Sequence, residues 1–147
     1  MIFSAKRDLY FAYGSNMSSR RLLARVPSAR ALGLAKLDGF TWCCNKLGKD
    51  GSGKANLMSQ DGAQVFGVLY EIKSKHWKQL DRLELGYQRI EVEVEQAGEK
   101  RSVWSYQSNL MTANPPTPEY LSFIIDGLIE HKLPMAYVSE LRLEAGI

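Results

Sequence analysis

The chain has 147 residues, 45% hydrophobic and 24% charged, and its 19 basic against 16 acidic residues leave a net charge of +3. That size suits a single domain spanning 1–147 with a proper core, and the composition is that of a soluble globular protein. So mild a charge, with Lys and Arg scattered along the chain, excludes a nucleic-acid footprint, and no apolar run nears the ~20 residues of a bilayer span.

In chain order, charges appear by Lys6 and Arg7, too early for a targeting core of signal-peptide length. Asp8 to Tyr13 reads as a buried strand, and "YFAYGSN" (10–16) turns from it abruptly into polar residues. Ser18 to Arg25 reads as a short helix with Leu22, Leu23 and Val26 at helical spacing, ended by Pro27. Residues 30–44 hold one or two strands. They contain the only two cysteines, Cys43 and Cys44, whose adjacency strains any disulfide between them. Neither stands at metal-ligand spacing from His76 or His131, so the reading is a reducing cytoplasm and no metal site.

Lys46 to Lys54 is a glycine-rich loop, and VFGVLYEI (65–72) a near-continuous apolar strand. Ser74 is placed as the N-cap of a helix running through Glu84. IEVEVE (90–95) alternates strictly, as a half-exposed strand does, and Ala97 to Lys100 turns it into SVWSYQS as a hairpin. Thr117-Pro118 opens a helix whose core stripe is Leu121, Ile124, Ile125, Leu128 and Ile129. A last short helix runs to about Glu144. Short strands with helices grouped near both ends predict an α+β fold with a curled sheet or small barrel.

Three places invite a chemical reading. "GKDGSGKA" (48–55) nearly matches the phosphate-binding pattern G-x-x-x-x-G-K-[ST], but Ala55 stands where a hydroxyl is needed and no helix follows. A hairpin loop is expected there. Glu84 shares a helix face with Trp77 and Leu80, so it either projects inward, where burial disfavours the ionised form and suits a general acid or base, or it lies on an exposed loop beyond the helix. The Gly14-Ser15-Asn16 turn has two readings as well. It is an ordinary strand-to-helix turn capped by Ser15 or Asn16, or a cradle whose backbone N–H groups receive a carboxylate.

Taken together, "YFAYGSNM", "DGSGKANL", "VFGVLYEI", "LDRLELGYQRIEVEV" and "PPTPEYLSFIIDGLIEHKLPMAYVSEL" resemble the γ-glutamylcyclotransferase family, in the right order over nearly the whole chain. The resemblance implies a small mixed β-barrel flanked by helices. It also implies release of 5-oxoproline from a small-molecule γ-glutamyl substrate without metal or organic cofactor, and, by analogy, a homodimer. It puts the catalytic glutamate on Glu84 and the substrate loop on Tyr10, Phe11, Ala12, Tyr13, Gly14 and Ser15, with Asn16 beside them. Further site tyrosines fall on Tyr106 and Tyr120. Two departures stand out: Leu85 where glycine usually follows the glutamate, and Met17 where leucine usually ends the loop motif. Leu85 bears on substrate preference more than on chemistry. Separately, γ-glutamylamine isopeptides stand as an alternative substrate class and a silent binder of acidic metabolites as an alternative function.

Overall fold

The structure, a computed structural model, describes residues 6–147; the first five residues of the opening segment read above for targeting lie outside it. Five strands close into a barrel: β1 (Arg7–Ala12), β2 (Arg30–Leu47), β3 (Gly53–Lys73), β4 (Gln88–Gln96) and β5 (Glu99–Gln107), in the order β1-β3-β2-β4-β5. β1 pairs antiparallel with β3, from Arg7 opposite Lys73 to Ala12 opposite Val68. The barrel closes where β1 meets β5 in parallel, Tyr10 opposite Trp104, so the sheet is mixed as expected. Tyr10, Phe11 and Ala12 are all buried. A segment covered on both faces has no reason to alternate, which explains its unbroken apolar run.

Residues 30–47 form one long strand, not two short ones, and β3 extends well upstream of VFGVLYEI. These two strands make a long hairpin whose register shifts between Ala31 and Gly33, Asp38 and Phe40, and Cys43 and Lys46. Gly33 (φ 101°) and Gly39 (φ 84°) take left-handed backbone at two of these bulges, which lets the pair bend around the barrel. The expected loop at 46–54 shrinks to a turn between Leu47 and Gly53, because cross-strand pairing continues to the turn itself. β4 and β5 pair from Gln88–Gln107 to Gln96–Glu99, with Val92 and Val94 buried and Glu91 and Glu93 exposed.

Four helices, α1 (Ser19–Arg25), α2 (Trp77–Leu83), α3 (Pro118–Glu130) and α4 (Met135–Ala145), cover the barrel. Ser18, and neither Ser15 nor Asn16, caps α1 by accepting from the Arg21 N–H; Ser15–Met17 forms a 3-10 turn of its own. Leu22 and Val26 are fully buried, while Leu23 points outward and is 43% exposed. Ser74 does not cap α2: Ser74–His76 is a 3-10 turn, and the Ser74 hydroxyl donates to Asp8 at 2.7 Å. Thr117 caps α3 as expected, accepting from the Tyr120 N–H. Leu121, Ile124 and Leu128 form its buried stripe, but Ile129 is exposed, and Gly127 lies where α3 presses on Met17. No helix among the described residues is long and apolar enough to cross a membrane.

Candidate active site

The site begins where β1 ends. Beyond Ala12 the chain is held by the Trp42 indole N–H, which donates to the Tyr13 carbonyl at 3.0 Å, and by the Tyr13 hydroxyl, which donates to the Tyr106 carbonyl at 2.6 Å. Gly14 follows with φ −119°, so it is not chosen for a left-handed conformation. It is chosen for space: a Cβ there would stand 2.8 Å from the Ala55 Cβ and 3.4 Å from the Tyr120 hydroxyl. The 3-10 turn then closes with the Met17 N–H donating to the Gly14 carbonyl at 3.0 Å. From below, the Tyr70 hydroxyl donates to the Met17 carbonyl at 2.9 Å.

Glu84 reaches the same turn from the other side. α2 buries Trp77 and Leu80, as the spacing predicts, but it ends at Leu83 and leaves Glu84 as its C-cap. The carboxylate therefore meets polar partners in place of the apolar face expected from the helix pattern. Its Oε1 accepts from Asn16 Nδ2 at 2.7 Å and from Arg25 Nη1 at 3.0 Å. Both side chains of the ion pair are largely covered, 14% exposed for Glu84 and 20% for Arg25. Neither donor engages Oε2. Asn16 also donates to the Tyr10 hydroxyl at 3.0 Å, which ties the carboxylate, the turn and β1 together.

Between them lies a small cleft lined by Tyr10, Tyr13, Tyr87, Tyr106 and Tyr120 together with the Gly14–Asn16 turn, Ala55 and Glu84. Burial above all pushes every one of these five phenols above the usual tyrosine value, and the charge on Glu84 pushes the same way. They stay neutral at physiological pH, able to share hydrogen bonds but not to accept a proton as a base. Their places are fixed: Tyr120 accepts the Ala55 N–H at 2.9 Å, Tyr87 donates to the Ala55 carbonyl at 2.6 Å, and Tyr106 donates to Asp81 at 2.7 Å. Among the described residues that line it, Glu84 is the only carboxylate.

Thus Tyr10, Tyr13, Gly14, Ser15, Asn16, Glu84, Tyr106 and Tyr120 converge on one cleft. Phe11 and Ala12 do not line it; they sit in the barrel core, 0% and 1% exposed, and serve by holding the strand. Sequence reasoning missed Tyr87, Ala55 and Arg25. Tyr87 stands three residues past Glu84 across a glycine, a spacing that a turn search could have caught, whereas Ala55 and Arg25 reach the site only through barrel closure and helix packing. The cysteines lie elsewhere: burial pushes the Cys44 thiol up to about 12 and raises Cys43, so neither is poised as a thiolate.

A closed mixed barrel that carries a covered carboxylate in a tyrosine-lined cleft is an arrangement able to hold a small polar molecule and to exchange a proton with it. Residues 64–141 match the AIG2-like family. The chain is 35% identical over 143 residues to a γ-glutamylcyclotransferase of Bos taurus, covering 90% of this chain and 76% of the relative. It is 34% identical to the γ-glutamylcyclotransferase of Homo sapiens over 91% of this chain and 77% of that protein. A solved structure of a γ-glutamyl cyclotransferase superimposes with a TM-score of 0.85 at 31% identity, over 93% of this chain and 87% of that one. The chain belongs to the γ-glutamylcyclotransferase family.

Proposed function

We propose that the chain is a γ-glutamylcyclotransferase in which Glu84 moves the protons. The substrate's α-amine attacks its own γ-carbonyl carbon, a five-membered lactam closes, and the bond to the departing amine breaks to leave 5-oxoproline. Because nucleophile and electrophile belong to one molecule, the protein needs to fold the glutamyl chain and handle protons, and folding alone removes much of the barrier. Glu84 takes a proton from the α-ammonium group and returns one to the leaving amine, with Oε2, the oxygen that Asn16 and Arg25 do not engage, as the exchanging atom. The backbone around Gly14 and Ser15 holds the glutamyl portion and the oxyanion that develops on the γ-carbonyl, and the neutral tyrosines orient it. Cys43 and Cys44 take no part.

The observation that carries this reading is the single carboxylate in a cleft of neutral phenols beside the Gly14 turn. Glu84→Gln tests it. The amide oxygen still accepts from Asn16 and Arg25, so the fold survives, but no proton can be taken. The release of 5-oxoproline from γ-glutamyl-alanine should fall by ~10²-fold or more. Near-normal turnover in a folded Gln variant would refute Glu84 as the base.

A further inference from the structure

Outside the tyrosine cleft, and continuous with it through Ser15, Glu84, Tyr87 and Tyr120, lies a second depression whose character is different. Its charged lining is Arg21, Arg25, Lys46, Lys49 and Lys54, with Glu84 the only acid among the described residues there. Arg25 is matched by Glu84. The other four cations have no carboxylate in the cleft to answer them. Lys54 meets Asp50 on the rim at 3.8 Å, a pair with more than half of the Asp50 side chain in water and therefore weak.

Two of these cations are held in place. Lys46 is only 5% exposed; its ammonium donates to the Leu85 carbonyl at 2.6 Å and lies 4.6 Å above the Tyr87 ring. Arg21 donates through Nε to the Ser15 hydroxyl at 3.0 Å. Burial above all lowers the affinity of both for their protons; Arg25 adds to this at Arg21, while at Lys46 the charge of Glu84 opposes it and Lys54 adds a smaller push the same way as burial. Like charges gathered on a partly covered wall repel one another, and an anion placed among them would relieve that cost. Lys49, on the exposed turn between β2 and β3, forms no ion pair among the described residues. The glycine-rich stretch that fails as a nucleotide loop thus still supplies two lysines to this wall.

Because the two depressions meet at Glu84, a substrate with its glutamyl half in the tyrosine cleft would have this basic depression as the adjoining space for its amine half. One carboxylate on that half cannot balance Arg21, Lys46 and Lys49 together with the weakly paired Lys54. We propose that the basic wall is an anion subsite for a second carboxylate on the amine portion, so that the enzyme prefers γ-glutamyl derivatives of acidic amino acids. This rests on the cyclotransferase reading above. It also turns the site against isopeptides whose amine half carries a further cation.

The test compares γ-glutamyl-aspartate with γ-glutamyl-asparagine, which match in size and differ by one charge. At low ionic strength kcat/KM for the aspartate compound should exceed that for the asparagine compound by about tenfold, and 0.5 M salt should shrink the ratio, since partly exposed charges are screened. Lys49→Glu, on an exposed turn and unable to disturb the core, should bring the ratio to one or below. Equal kcat/KM for the two compounds in the wild-type protein, or a ratio untouched by Lys49→Glu, would overturn the subsite while leaving the cyclotransferase reading intact. If no γ-glutamyl amino acid yields 5-oxoproline, the underlying reading falls instead, and the subsite with it.

Discussion

Gly14 shows how a single residue can decide whether a cleft exists. Its backbone lies at φ −119°, outside the left-handed region, so the usual account of a turn glycine does not apply. What forbids a side chain is the Ala55 Cβ, 2.8 Å from where a new methyl would sit, with the Tyr120 hydroxyl just behind. Gly14→Val should therefore abolish 5-oxoproline release by filling the cleft, with a much smaller effect on folding. Gly14→Ala should cost activity in part, and adding Ala55→Gly should restore it, because the second change removes the clashing atom. Activity assays on the three variants, with thermal melts alongside, check this. A Val variant with wild-type kinetics would mean that the turn does not touch substrate. Glu84 is decided at the same scale. Its polar setting comes from two side chains, Asn16 and Arg25, that lie 68 and 59 residues away along the chain.

At the scale of elements, the turn that carries the site is clamped between β3 and α3. Tyr70 on β3 holds the Met17 carbonyl from one side. From the other, α3 comes so close at Gly127 that a Cβ there would lie 2.5 Å from the Met17 Cβ and 2.9 Å from the Ser18 nitrogen. This contact involves backbone, which cannot swing aside as a long side chain can. Gly127→Ala should push α3 off the turn and cost about 1–3 kcal/mol of stability by overpacking. Because the turn moves with it, KM should rise as well. Denaturant unfolding and substrate titration measure the two effects, and an alanine variant as stable and active as the parent would show that the clamp is loose. The expected core stripe of α3 places Ile129 where Gly127 does the work, because side-chain periodicity registers apolar volume and is blind to a contact made by lacking a side chain.

Across the whole molecule, the buried phenols set an upper limit to the pH range of the fold. Tyr70 is pushed up to about 12, chiefly by burial, and the five cleft tyrosines are raised as well. An unfolded chain releases phenolic protons near the ordinary value of about 10, while the folded protein keeps them. The unfolded state then binds fewer protons than the native one, so stability is fully present below about pH 10 and is lost as pH rises from there toward 12. Melting temperatures should accordingly be level through mild alkali and fall steeply beyond about pH 10. A level profile to pH 11.5 would contradict the burial of these hydroxyls.

By itself the sequence determined the fold class and the local elements. Apolar runs, the alternation of IEVEVE and the Thr117-Pro118 start are each written within a few neighbouring residues, and the ordered resemblance over the whole chain placed Glu84 and the Gly14 turn. Local pattern also sufficed to reject the nucleotide loop, since 48–55 lacks the hydroxyl and the helix. Only the tertiary structure decided what surrounds Glu84, why Gly14 is glycine, that Phe11 and Ala12 belong to the core, and that Lys46, Lys49 and Lys54 share a wall with Arg21 and Arg25. Those outcomes depend on barrel closure and helix packing between segments far apart in the chain. Short-range periodicity carries no information about which distant side chains meet, because such meetings are fixed by strand register and by the bulges at Gly33 and Gly39 that bend the long hairpin into place.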